Sequence, residues 1–342
     1  MRPPRSFARS PPCSIYPGSS RAGADRYTGR GSGQSLSSER FVLVVLNIRR
    51  QNTARRQNTA QAVLIEEDDV MSYETVLVQL DVERDSEQRV QLALALADRF
   101  QAALIGVAGL ALRPAFAAAG IVVYAEPTKH DLHQMSAIFD RMGKKFLEQG
   151  QNLKHIEWRS ALDSPSELIT REARAADLII VAARQAGNLR NFADPGVILL
   201  RAGRPVLVVP EVIGPLSLHR IVVAWKDTRE CRRAVRDAIP FLQQAKEVLL
   251  IELGEEEAKS QDKKALADVA NYLIRHKVVV AEQICRRSRG PVETELFQFV
   301  KEEKADLIVA GGYGHSRLGE WTFGGVTHEL LAASSVCCML SH

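Results

Sequence analysis

Ala310-Gly311-Gly312-Tyr313-Gly314, then nine residues from His315 to Phe323, then Gly324-Gly325-Val326-Thr327, is the stretch on which the reading of this chain turns. It follows Ala305-Asp306-Leu307-Ile308-Val309, an apolar run that reads as a buried strand of a parallel sheet, and it precedes a short helical segment over His328 to Ser334. Glycines between a strand end and a helix start suit an anion. The helix N-terminus presents free N–H groups, and glycine lets backbone approach a phosphate with no Cβ in the way. The spacing is not that of a P-loop, which needs Lys and Ser/Thr after its last glycine. It also fails the dinucleotide fingerprint, because Arg317 stands where the third glycine belongs.

Working outward, strands and helices alternate on both sides of a Gly-Pro connection. Before it, strands are expected at Thr75–Leu80, Ala103–Ala108, His155–Ser160, Asp177–Ala183 and Pro205–Val209, with helices at Ser86–Phe100, Asp131–Gln149, Pro165–Ala175 and Gly196–Ala202. After it, strands are expected at Arg220–Trp225, Glu247–Leu253, Val278–Gln283, Ala305–Ala310 and Val336–Leu340, with helices at Arg229–Gln244, Ser260–His276 and Val292–Glu303. Alternation of this kind means a parallel sheet with helices on both faces. The two series align element by element, so the expected fold is α/β, two tandem doubly wound domains of five parallel strands each. The repeats are assigned to residues 71–212 and 218–342, with Gly214 and Pro215 in the linker.

The chain has 342 residues, enough for two ordinary domains, and a formal charge of +4 that is unevenly spread. Residues 1–70 hold 11 Arg, no Lys and 6 acidic side chains, leaving 34 basic and 35 acidic residues for the remainder. A near-neutral body argues against nucleic acid as its partner. Residues 1–70 are rich in Arg, Ser, Gly and Pro and carry the hexamer Arg-Arg-Gln-Asn-Thr-Ala twice, at 49–54 and 55–60. They are read as a disordered or mis-annotated extension, with Met71 as the start of the folded protein. No apolar run reaches roughly 18 residues, so no membrane span is expected. Five cysteines without regular spacing (Cys13, Cys231, Cys285, Cys337, Cys338) give neither a disulfide framework nor a zinc pattern, and a cytoplasmic location fits best. His130 and His133 stand three apart but gather no further ligands, and Cys337-Cys338 read as apolar filler of the last strand.

The pattern G-x2-G-x9-G, after Ala-Asp-Leu-Ile-Val and before Val-Thr, resembles the nucleotide loop of the universal stress protein family, and the likeness covers Met71 to His342. Gly311, Gly314 and Gly324 keep their places, while Gly325 replaces the family's hydroxyl residue. The resemblance implies a strand order of 3-2-1-4-5, a nucleotide across the carboxyl ends of strands 1 and 4, and an open fifth strand that pairs with a counterpart. It implies ATP as ligand, or ADP or AMP, with Mg accompanying the triphosphate, in a stress-response protein that is at most a weak ATPase and forms a homodimer.

By the same resemblance Ala224, Lys226 and Asp227 end strand 1. Lys226 stands where the family has an Asp, and Asp227 lies one place along. Leu253 matches the apolar wall for adenine and Ala310 the residue before the first glycine. His315 and Arg317 lie in the nine-residue loop, where a cation pairs with phosphate oxygens. Val326 and Thr327 open the helix, Thr327 more naturally as a cap than as a phosphate ligand. The first repeat keeps the Asp, as Asp81, but has Ala182-Ala183-Arg184-Gln185-Ala186-Gly187 and Asp194-Pro195-Gly196 in place of the glycine loop, and is read as a non-binding copy. The competing readings are a scaffold in which both sites have degenerated, favoured by Lys226 and Gly325, and a true adenine-nucleotide hydrolase. The second would need a pyrophosphate loop that Trp225-Lys226-Asp227-Thr228 does not supply.

Overall fold

The computed structural model describes residues 71–111, 116–118, 121–123, 128–184, 191–254, 260–288, 290–313, 325–332 and 334–342. The chain divides into a unit of Met1–Glu66, whose residues lie outside the described set, and a unit of Glu67–His342.

In the first half of the larger unit the elements are β1 (Thr75–Gln79), α1 (Glu87–Phe100), β2 (Ala103–Gly109), the short β3 (Phe116–Ala118) and β4 (Ile121–Val123), α2 (Lys129–Gln149), β5 (Ile156–Ala161), α3 (Pro165–Glu172), β6 (Leu178–Ala182), α4 (Pro195–Arg201) and β7 (Val206–Val209). The second half runs β8 (Arg220–Ala224), α5 (Arg229–Asp237), α6 (Ile239–Gln244), β9 (Glu247–Gly254), α7 (Ser260–Arg275), β10 (Val280–Arg287), α8 (Val292–Glu302), β11 (Leu307–Gly311), α9 (Gly325–Ala332) and β12 (Cys337–Ser341).

Ten strands form one sheet in the order β5-β2-β1-β6-β7-β12-β11-β8-β9-β10. Each half is parallel within itself and ordered 3-2-1-4-5, as expected. The halves join where β7 and β12 pair antiparallel, Val206 opposite Leu340, Leu207 opposite Met339 and Val208 opposite Cys338. Two open edges, each with unpaired N–H and C=O groups, thus close on one another.

Alternation along the strands splits the core into two layers. Val76, Val78, Ile221, Val223, Leu307 and Met339 face α1, α2, α5, α6 and α7. Leu77, Ile179, Val222, Ile308 and Leu340 face α3, α4, α8 and α9. Cys337 and Cys338 fall in opposite layers, both fully buried, and burial pushes both thiols up, which suits apolar filler. Each half fastens strand 1 to strand 4 with the same Ala-Asp-Leu-Ile sequence. Asp177 Oδ2 accepts from the N–H groups of Glu74 and Thr75, both at 3.0 Å, and Asp306 Oδ2 accepts from His219 N at 2.9 Å and from the Ser217 hydroxyl.

Two features depart from the sequence reading. The helix expected over Arg229–Gln244 is broken at Ala238 into α5 and α6, because Pro240 lacks an N–H and its ring clashes with the carbonyl four residues back. The β3–β4 hairpin, paired antiparallel from Phe116–Val123 to Ala118–Ile121, was not anticipated.

Across the junction Tyr73 (tilted) and Phe100 (edge-on) of the first half pack against Phe241 of the second, each with ring centroids 5.3 Å apart. Tyr73 also donates its hydroxyl to the Asp237 carbonyl at 2.7 Å. Truncating Phe241, which is fully buried, should cost about 3–5 kcal/mol. Trp158 and Trp225, one in each half, should report the same denaturation midpoint in Phe241→Ala, because the sheet is continuous through the junction. At Gly311 an added Cβ would stand 2.5 Å from Cys231 N and 2.8 Å from Glu230 C, both backbone atoms of α5. Gly311→Ala should therefore lower stability by about 1–3 kcal/mol in urea titrations, with or without any ligand.

Candidate functional site

In the second half the chain leaves β8 and β11, which lie side by side, towards opposite layers: β8 leads to α5 and β11 towards α9. Open α/β sheets bind ligands at such a divergence, outside the carboxyl ends of the strands. The ends of the expected loop are drawn together there. Tyr313 donates its backbone N–H to Thr327 Oγ1 at 3.2 Å, and Gly312 N–H donates to Ser341 O at 2.9 Å. Tyr313 takes the left-handed conformation, φ 59°, which for a bulky residue is strained and must be held by its surroundings. Between these anchors, Gly314, His315, Arg317 and Gly324 lie outside the described residues.

The remaining expected residues fall into three groups. Ala224, Leu253, Ala310 and Val326 share the α8/α9 layer of the core and line the top of β8, β9 and β11. Lys226 and Asp227 are exposed in the turn after β8, and Asp227 pairs with Arg232 at 2.6 Å. Thr228 caps α5, accepting from Cys231 N at 3.3 Å. Gly311 and Gly325 differ in kind. The first is required by packing against α5, a cause the spacing pattern did not reveal. At Gly325 a Cβ would meet only the carboxylate of Glu293, at 3.6–3.7 Å, an ordinary contact, so nothing steric excludes the family's hydroxyl residue.

Thr327 departs from expectation. The helix begins at Gly325 rather than at His328, so Thr327 sits buried inside its first turn, and its hydroxyl ties down Tyr313 instead of capping.

The equivalent positions in the first half are filled by the chain itself. Asp81, only 8% exposed, is paired with Arg89 at 2.7 Å and accepts from Gln79 Nε2 at 2.7 Å, and Arg89 Nε in turn donates to the Gln79 carbonyl. Asp194 occupies the start of α4, accepting from Gly196 N at 2.8 Å and Val197 N at 3.4 Å, with Arg184 as counter-ion at 2.8 Å. The donors that a phosphate would use there are already bound to a carboxylate. Residues 185–190 of that loop, Gly187 among them, lie outside the described set.

Several residues that shape the site were not legible beforehand. The Tyr313 hydroxyl reaches over the junction to Gly196, whose Cβ position would lie 2.5 Å from it. Burial pushes the Tyr313 hydroxyl up and Arg184 partly counters it. Glu230 is buried in the first turn of α5. Burial alone would raise it, but hydrogen bonds from Arg229, its own backbone N–H and Thr228 hold it below the usual carboxylate range. Glu252, at the end of β9, is raised by burial and then by Asp262 and Asp227, with Lys226 opposing. Among the described residues no group of three His, Cys, Asp or Glu is placed to hold a metal ion, and no helix is long and apolar enough to cross a membrane.

No curated protein matches the chain. Among solved structures, a universal stress protein from Archaeoglobus fulgidus DSM 4304 is 15% identical, covers 78% of this chain and 95% of its own, and superposes with a TM-score of 0.58. A putative universal stress protein from Pseudomonas aeruginosa UCBPP-PA14 is 15% identical over 79% of this chain and 93% of its own, at a TM-score of 0.49. A universal stress protein in complex with cAMP is 22% identical over 42% of this chain and 100% of its own, at 0.30. At 15% identity the likeness to the Archaeoglobus fulgidus DSM 4304 protein is one of fold. In sequence, residues 217–342 match the family model described as the Universal stress protein family.

Proposed function

We propose that residues 218–342 bind ATP or a related adenine nucleotide, and that the protein serves a regulatory or protective role in stress rather than acting as a strong catalyst. The observation that carries this reading is the junction of loop ends at the carboxyl end of β11. Tyr313 and Thr327 meet across the thirteen residues 314–326 at the carboxyl end of β11, the strand paired with β8, and Gly325 opens α9 with its Cβ direction uncrowded. Backbone N–H groups of Gly311, Gly314, Gly324, Gly325, Val326 and Thr327 would hold the phosphates, with His315 and Arg317 as partners for their oxygens. Ala224, Leu253 and Ala310 would form the apolar wall, and Lys226 and Asp227 would lie beside the ribose. Mg2+ would travel with the triphosphate.

Residues 71–212 form, in this reading, a closed copy whose Asp81 and α4 N-terminus are committed to Arg89 and Asp194, and residues 1–70 stand outside the binding unit. The protein works in the cytoplasm. A homodimer would use a surface other than the β7–β12 junction, which the chain itself satisfies.

A second reading, a scaffold in which neither half binds, has one observation in its favour. The Glu293 carboxylate faces Gly325 at 3.6–3.7 Å from its Cβ position and would repel a phosphate there.

Calorimetry with ATP, ADP and AMP separates the two. Saturable binding at or below millimolar concentration, about −4 kcal/mol, supports the first reading, and silence at that level leaves the scaffold. Added ATP should alter the fluorescence of Trp225 or Trp321 and leave Trp158 unchanged. Gly314→Val or Gly324→Val should abolish the response without unfolding the protein, because a side chain there takes the space of the phosphates. The same change at Gly187 should have no effect.

A further inference from the structure

Among the described residues, closing β7 on β12 leaves the sheet two free edges, β5 in the first half and β10 in the second. They are built differently. β10 runs against β9 with a register shift between Val280 and Glu282, an irregularity that makes its outer side a poor template for another strand. β5 pairs with β2 in unbroken register from Ile156 to Ala161, and among the described residues no strand covers its outer side.

The bonds on the inner side fix what β5 presents on the outer one. Leu104 N–H donates to His155 O at 3.0 Å and Leu110 N–H donates to Ala161 O at 3.2 Å, so the odd-numbered residues turn their polar backbone groups to β2. By alternation Ile156, Trp158 and Ser160 point N–H and C=O outward. Glu157 and Arg159 lie on the α3 face, where Arg159 pairs with Glu157 at 2.8 Å and with Glu172 at 2.7 Å. Trp158, between them, faces α2, its ring 5.8 Å from that of Phe146.

This edge is complementary to itself. Set antiparallel to a second β5 about a two-fold axis at Trp158, it places Trp158 opposite its own copy and Ile156 opposite Ser160, pairs whose N–H and C=O groups face across. Each Glu157 then stands opposite an Arg159, in the pair without mutual hydrogen bonds, where side chains come closest and opposite charges attract. An axis at Glu157 or at Arg159 would instead set like charges face to face. On the other side of the sheet the same axis brings the two α2 helices together. There a groove of about 580 Å³ is lined by Gly143, Leu147 and Trp158 among others, and Leu147 is 41% exposed.

Resting on the homodimer reading above, we propose that two copies of this chain join through their β5 strands, antiparallel about an axis at Trp158, into one continuous sheet with the α2 grooves facing each other across the axis.

Sedimentation equilibrium of the full chain tests this. The wild type should reach twice the 37.8 kDa of the chain, with a Kd of about 1–10 μM in keeping with a small interface. Ser160→Pro removes an outward N–H that β2 does not use, and should leave a folded monomer. Glu157→Lys, at an exposed position, sets a cation against Arg159 on both sides of the axis and should weaken the dimer about tenfold. Thermal melts establish that both variants are folded, and Glu157→Lys suffices should Ser160→Pro fail to fold. A dimer that survives in folded Ser160→Pro, or that is indifferent to Glu157→Lys, overturns the inference and leaves the homodimer reading with its interface elsewhere. A wild type that stays monomeric up to about 100 μM, well above that Kd, overturns both.

Discussion

The antiparallel pairing of β7 with β12 is the constraint on which the rest of this fold depends. Each half by itself is an open five-strand sheet ending in an apolar strand, Val-Leu-Val-Val in one and Cys-Cys-Met-Leu-Ser in the other. Such a strand cannot be left bare without inviting association. Joining the two makes one ten-strand sheet, and contacts in both layers then reach across the junction. Phe241 reaches Tyr73 and Phe100, Leu199 lies against Gly312, and Arg184 N–H donates to Leu331 O at 2.6 Å. The loop-bearing edge of the second half is thus built partly from the first.

This arrangement gives the two halves different chemistry. In the first, the positions that would face a ligand have been turned inward, with Asp81 held by Arg89 and Asp194 spent on α4. A buried ion pair of this type contributes little net stability, yet removing one partner is costly because it strands a charge. Once formed, the closure is therefore hard to reverse by single substitutions. In the second half the Glu293 carboxylate faces Gly325 at the opening of α9, while Lys226 and Asp227 stay exposed after β8.

Much of the architecture was legible in the sequence because its cause is local. Strand and helix periodicities gave the element order and the element-by-element alignment of the halves, whereas the clamp that each strand-4 Asp makes on the start of strand 1 shows only in the structure. The pairing of the last strands was expected from the resemblance, which implies an open fifth strand that pairs with a counterpart. What stayed hidden depends on neighbours remote in sequence. Nothing local distinguishes Gly311, needed for packing against α5, from a glycine kept for a ligand. Pro240 signalled its helix break plainly enough, but the amphipathic pattern on both sides of it read as continuous. Tyr313, Arg184, Glu252 and Glu293 acquire meaning only when the sheet sets them beside residues from other strands or from the other half.

Covalent linkage of the two halves has a further consequence for Tyr313. Its phenol end enters a socket in the first half beside Gly196 and Arg184, and it is the last described residue before the loop. Were the halves separate chains, that socket would be present only when they had associated, and the loop would be shaped in proportion to subunit concentration. Tethering replaces this with a fixed effective concentration, so the geometry at the loop entrance is the same in a dilute cell as in a crowded one.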